Sequence, residues 1–183
     1  MTDLRADAAR NRARVLDVAR RRVDDGDLAL PMNALAAEAG VGVGTAYRHF
    51  RDRTGLLAAL ARPRVDVLLD DARAAAATDD AVAGLGALLH AVLRAQRDDP
   101  AVAELLRTGA GDDGHVADVL RALGDVAEHV LDRAKAQGVR ADLHADDLRR
   151  LLCGVDHAAR LGPDPAADAA RYVDMLLPGL RGA

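Results

Sequence analysis

Aromatic side chains are almost missing from this chain, which has two tyrosines, one phenylalanine and no tryptophan in 183 residues. Beyond residue 50 only Tyr172 remains, so a ligand site there is expected to be aliphatic, and stacking of a large planar ligand is disfavoured. The single cysteine, Cys153, excludes an intramolecular disulfide and any metal site built from several thiolates. No apolar run approaches the roughly 20 residues that a membrane span requires. The first residues, MTDLRADAARNRARVLDVA, are charged and lack the apolar core of a secretion signal, so a cytoplasmic location is expected. Segments of alternating polarity, the mark of half-buried strands, are also absent. What fills the chain instead is alanine, valine and leucine within a 50% hydrophobic composition. Alanine and leucine favour helix, so the composition predicts an all-α protein of one domain or two small ones.

The net charge of −4 hides an asymmetry. Up to Arg62 there are 11 arginines against 8 acidic residues, and from Pro63 onward 14 basic residues against 21 acidic ones. A basic front and an acidic rear suit a polyanion reader joined to a domain that avoids polyanions.

One stretch stands apart, Met32 to Phe50 (MNALAAEAGVGVGTAYRHF). It holds two of the three aromatics, Tyr47 and Phe50, and the glycines Gly40, Gly42 and Gly44. Its pattern is a short helix, a tight turn and a second short helix ending in an aromatic–basic run. That is the layout of a helix-turn-helix whose second helix enters a DNA groove. Pro31 suits the first position of the first of these helices, with Leu35, Ala36 and Ala39 facing inward. Gly40 suits the turn, and Gly42 the cap of the next helix. Val43, Ala46 and Phe50 or Tyr47 can anchor that helix, leaving Thr45, Arg48 and His49 outward.

The flanks read as helices too. Arg5 to about Asp24 carries a stripe of Val15, Leu16, Ala19 and Val23. Asp52 is a good cap for a helix running to about Ala77 with Pro63 inside it, where a kink is expected. Thr78-Asp79-Asp80 opens a helix over Ala81–Arg97, and a short helix over Ala101–Arg107 follows. Thr108–Gly114 reads as a flexible loop. Longer helices are predicted over His115–Gln137, Asp146–Leu161 and from Asp164-Pro165 onward, about nine in all. Gln96 falls inside an apolar stripe, so it is either a buried, satisfied amide or a ligand-facing one.

The residues Leu35-Ala36, Ala39-Gly40-Val41, Gly44-Thr45, Tyr47-Arg48-His49-Phe50, Asp52-Arg53 and Leu56-Leu57 resemble, in order and spacing, the DNA-binding domain of TetR-type transcriptional regulators. The tail GVRADLHADDLRRLL loosely resembles the regulatory domains of some actinobacterial members. The resemblance implies a helix-turn-helix domain over residues 1–51 and a ligand-binding and dimerisation domain over 52–183. Thr45 then addresses a base edge or phosphate, Tyr47 and His49 clamp phosphates, and Arg53 grips a phosphate at the start of the following helix. Phe50 is assigned to the core. The usual polar pair opening the reading helix is replaced by Gly42-Val43, which shifts base readout to Thr45, Arg48 and Val43 against a thymine methyl. Arg48 stays open between groove and solvent.

Catalytic and metal chemistry find no footing. No two histidines are paired at i,i+3 or i,i+4, no cysteine or carboxylate completes a ligand set with them at usable spacing, and there is no nucleophile elbow or phosphate-cradling glycine loop. The chain is therefore expected to be no enzyme and to need no cofactor. The expected function is a repressor released from a palindromic double-stranded operator by a small-molecule effector, acting as a homodimer through its last two helices. The alternative is a helical small-molecule-binding or protein-interaction module without specific DNA binding.

Overall fold

The computed structural model describes residues 2–111 and 113–182. Asp112, inside the loop expected over Thr108–Gly114, lies outside the described residues. Among the described residues the fold is all-α, with nine helices: α1 (Thr2–Asp24), α2 (Met32–Glu38), α3 (Val43–Phe50), α4 (Arg53–Ala76), α5 (Ala81–Asp98), α6 (Pro100–Thr108), α7 (Gly114–Lys135), α8 (Ala145–Arg160) and α9 (Pro165–Gly179). They form two compact units. The first joins Met1–Pro63 to Pro100–Ala117, and the second joins Arg64–Asp99 to Asp118–Ala183.

The first unit is a small core wrapped by α1, α2, α3, the start of α4, and α6. Val15, Val23, Leu30, Leu35, Ala46, Phe50, Leu56, Leu57 and Leu105 are all buried in it. Each large aliphatic side chain so placed contributes about 1.5–3 kcal/mol. Two arginines of α1 knit the unit together. Arg20 donates to the Leu60 carbonyl at 2.8 Å, and Arg22 reaches Glu38 at 2.9 Å and Asp27 at 3.3 Å.

Pro31 corrects one expectation: it is the cap of α2, with φ −64° and ψ 114°, not its first helical residue. The extended ψ keeps it outside the helix, where a missing N–H is equally harmless. Just before it, Leu30 is left-handed at φ 45° and yet fully buried. Gly40, at φ 62°, makes the turn between α2 and α3, a conformation that a side chain resists.

The second unit packs α5 against α8 and α9, with α7 and the later part of α4 completing it. Leu68, Leu85, Leu89, Leu93, Val130, Leu131, Leu148, Leu152 and Val173 are buried there. Asp80 caps α5 by accepting from the Val82 and Ala83 amides, and Asp164 caps α9 in the same way through Ala166 and Ala167. Both are the side-chain caps that the sequence indicates. Arg133 satisfies carbonyls at and after the end of α4, at Ala76, Thr78 and Asp79. Backbone bonds Arg140 to Leu180 and Gly182 to Gly138 close the chain's last residues onto the turn after α7.

Pro63 sits within α4, which is continuous from Arg53 to Ala76. The packing division between the units does not coincide with the functional boundary expected after residue 51. The reason is local: Leu56, Leu57 and Leu105 belong to the same core as the reading helix.

Candidate nucleic-acid interface

The reading helix is short and two-faced. α3 has eight residues, is capped by Gly42 in an extended conformation, and turns Ala46 and Phe50 into the core. These two lie four residues apart, one helical turn, so the rest of the helix is left outside. Val43 and Tyr47, also four apart, are 42% and 44% exposed. Both therefore stand outward together on one face of the short helix. Arg48 is exposed as well, while Thr45 and His49 are half-buried.

Arg48 folds back over its own helix. It donates from Nε to the Gly44 carbonyl at 3.2 Å and from Nη2 to the Thr45 hydroxyl at 2.9 Å. Thr45 and Arg48 are thus one polar unit at the front of the helix, and the hydroxyl proton of Thr45 stays free to be donated outward. His49 leans on Phe50 with ring centroids 6.0 Å apart.

Arg53 is held by its own unit. Its Nε donates to the Leu28 carbonyl at 2.6 Å and its Nη2 to Glu104 of α6 at 2.7 Å. The other Glu104 oxygen accepts from Nε and Nη2 of Arg107, at 3.0 and 2.8 Å. Burial pushes the Glu104 carboxyl up, but hydrogen bonds from Arg53 and Arg107, with their charges, outweigh it and hold the group below the ordinary glutamate range.

Val43, Thr45, Tyr47, Arg48 and His49 therefore share one helix, and Arg53 opens the next. Of the α1 arginines, Arg12 sets its guanidinium 5.4 Å over the Phe50 ring and Arg14 reaches the turn at Gly40. Sequence reasoning missed Glu104. The only sequence signal for Glu104 was a lone acid in an apolar helix, which names no partner. Gln96, the candidate ligand residue, is 3% exposed on α5 in the other unit, and its backbone carbonyl accepts from Arg160 at 3.3 Å.

In that second unit α8 and α9 share an open apolar groove lined by Leu151, Val155, Tyr172, Met175 and Leu176, with Asp147 and Arg150 beside them. Met175 is 67% exposed and Leu151 is 41% exposed. No helix of the described residues is long and apolar enough to cross a membrane.

Comparison with known proteins agrees with this geometry. Residues 15–60 match the family described as bacterial regulatory proteins, tetR family. Residues 88–182 match the family described as transcriptional regulator SbtR-like, C-terminal domain. An HTH-type transcriptional regulator of Staphylococcus aureus is 36% identical over 67 residues, a match that spans 36% of this chain and 36% of that relative. A TetR transcriptional regulator from Streptomyces coelicolor has a similar structure (TM-score 0.56, 28% identity, 94% of this chain and 99% of that one). A TetR transcription regulatory protein from Mycobacterium vanbaalenii is 32% identical over 98% of this chain and 99% of its own, with a TM-score of 0.50. With its C-terminal half and its reading helix both matched, the chain belongs to the TetR family of transcriptional regulators, which bind DNA through a helix-turn-helix and are not enzymes.

Proposed function

We propose that this regulator is a repressor that holds a palindromic operator as a homodimer and is released by a small-molecule effector. The observation that carries the reading is the outward face of α3, where Val43 and Tyr47 stand exposed while Ala46 and Phe50 fix the helix from behind.

In the groove, the Thr45 hydroxyl and the Arg48 guanidinium address base edges, and Val43 meets a thymine methyl. Tyr47 and His49 donate to phosphates, and Arg53 adds a phosphate contact at the start of α4. Such contacts set register and orientation without specifying sequence. A reading helix of eight residues spans only about 12 Å, so one copy covers few base pairs. Two copies related by a twofold axis, set about 34–36 Å apart, read both halves of a palindrome. The exposed groove on α8 and α9 supplies a self-complementary apolar face for that pairing, rimmed by the opposite charges Asp147 and Arg150.

In this reading residues 1–51 form the DNA-reading domain and 52–183 the ligand-binding and dimerisation domain, with Arg53 adding its phosphate contact just past the boundary. The effector site lies in the second domain, with Gln96 as its polar contact in an aliphatic surround. Release requires that the effector bind more tightly to the dimer whose two α3 helices no longer match successive grooves.

The test is a mobility shift with the gene's own upstream DNA at several salt concentrations. The reading expects a discrete complex on a palindrome, weakened steeply by salt. Absence of any specific complex would instead support a helical binding module that no longer reads DNA.

A further inference from the structure

Glu104 has only 8% of its side chain exposed, is shared by two arginines and has no place in the DNA contacts described above. A buried carboxylate is costly unless its charge is matched, and here both oxygens are matched, one by Arg53 and one by a two-nitrogen grip from Arg107. The guanidinium fork fits a carboxylate and a phosphate alike. Both arginines remain within reach of solvent, with side chains 35% and 63% exposed.

We propose that Glu104 is an internal stand-in for DNA phosphate, occupying Arg53 and Arg107 so that the reader does not grip arbitrary duplex. This rests on the reading of Arg53 as a phosphate contact and extends it. Glu104 thereby determines specificity without touching a base. A random duplex offers phosphates without the matching base edges, and these phosphates must displace a carboxylate already bound. An operator also offers the base-edge contacts of Thr45 and Arg48, which make that exchange favourable. The bond from Arg53 Nε to the Leu28 carbonyl keeps the guanidinium in place when Glu104 lets go.

The experiment measures binding of the full-length protein to a random-sequence duplex and to the operator across a salt series. It compares wild type, Glu104→Gln, Arg53→Ala and the double variant of the two, with folding followed by thermal melting. The amide keeps the shape of Glu104 and removes its charge. Glu104→Gln is expected to bind the random duplex roughly tenfold more tightly, with a log K against log salt slope steeper by about one for each arginine freed. The double variant loses the Arg53 share of that gain. In an otherwise wild-type protein, Arg53→Ala is expected to leave the random-duplex slope nearly unchanged, because Glu104 already occupies Arg53.

A full unit of slope lost in Arg53→Ala alone overturns the proposal, even if Glu104→Gln does not fold. So does an unchanged or weaker random-duplex affinity in a folded Glu104→Gln. If wild type binds its operator while either of these results is found, only the stand-in role falls. If neither wild type nor Glu104→Gln binds any duplex, the DNA-reading assignment of Arg53 falls with it.

Discussion

The carbonyl oxygen of Phe50 occupies the space that a Cβ on Gly55 would fill, and the Phe50 carbonyl carbon lies 3.3 Å from that position. The last residue of the reading helix and the first turn of α4 are therefore in backbone contact. This closeness also lets the Asp52 carboxylate accept from the Gly55 amide at 2.8 Å. Gly55→Ala forces the chain apart at this junction. Overpacking of this kind costs about 1–3 kcal/mol, so thermal melting of the variant is expected several degrees lower. An unchanged melting temperature would show that the junction yields freely.

Thr45 and Tyr47 are expected to fail in different ways. Thr45→Ala removes a group aimed at base edges and uncouples Arg48, so operator affinity falls by about 1–3 kcal/mol while binding to random duplex changes little. Tyr47→Phe removes a phosphate donor, so both affinities fall together. Competition titrations with operator and random DNA separate the two. Equal loss on both DNAs for Thr45→Ala would place Thr45 among the positioning contacts.

Glu104 gives stability a defined dependence on pH. Its carboxyl is held below the usual range in the folded protein. A depressed carboxylate contributes stability in full above its unfolded value of about 4.3, and loses it as pH falls through the folded value. Asp142 and Asp146 are also depressed by neighbouring arginines, so the raw curve mixes three groups. The difference between wild type and Glu104→Gln in urea unfolding isolates one of them. It is expected to be constant above about pH 5 and to shrink below that. A difference that grows with acid would contradict the ion-pair assignment.

Met175 offers the cleanest test of pairing. It is 67% exposed on α9, beside Leu151 and Tyr172 in the apolar groove. Met175→Glu places a charge on that face without touching the unit's core, so melting of the isolated chain changes little. Sedimentation analysis is expected to show the variant as a monomer at concentrations where wild type pairs. A wild type that is already monomeric would remove the groove from the dimer proposal.

The helices were legible because their signals are local. Asp80 and Asp164 sit one residue ahead of the helices they cap, and stripes such as Leu85, Leu89 and Leu93 repeat at helical spacing. Gly40 and the burial of Phe50 were legible for the same reason. Pro31 marks a limit, since a proline fits both the cap and the first turn, and only ψ decides between them. Arg53 shows the other limit. Its residue type and position were readable, but the destination of its charge depends on a carboxylate 51 residues away. Side-chain periodicity carries no information about such a pairing.

Leu30 ties the backbone ahead of α2 to the core. Its backbone prefers a glycine and its side chain belongs to the core, and the two demands meet in one residue. The left-handed backbone costs about 1–2 kcal/mol, close to what the buried leucine returns. The residue is thus near break-even on its own, and its value lies in coupling: the chain ahead of α2 cannot relax unless the leucine leaves the core. The entry to the helix-turn-helix and the hydrophobic centre behind it are thus held by one and the same residue.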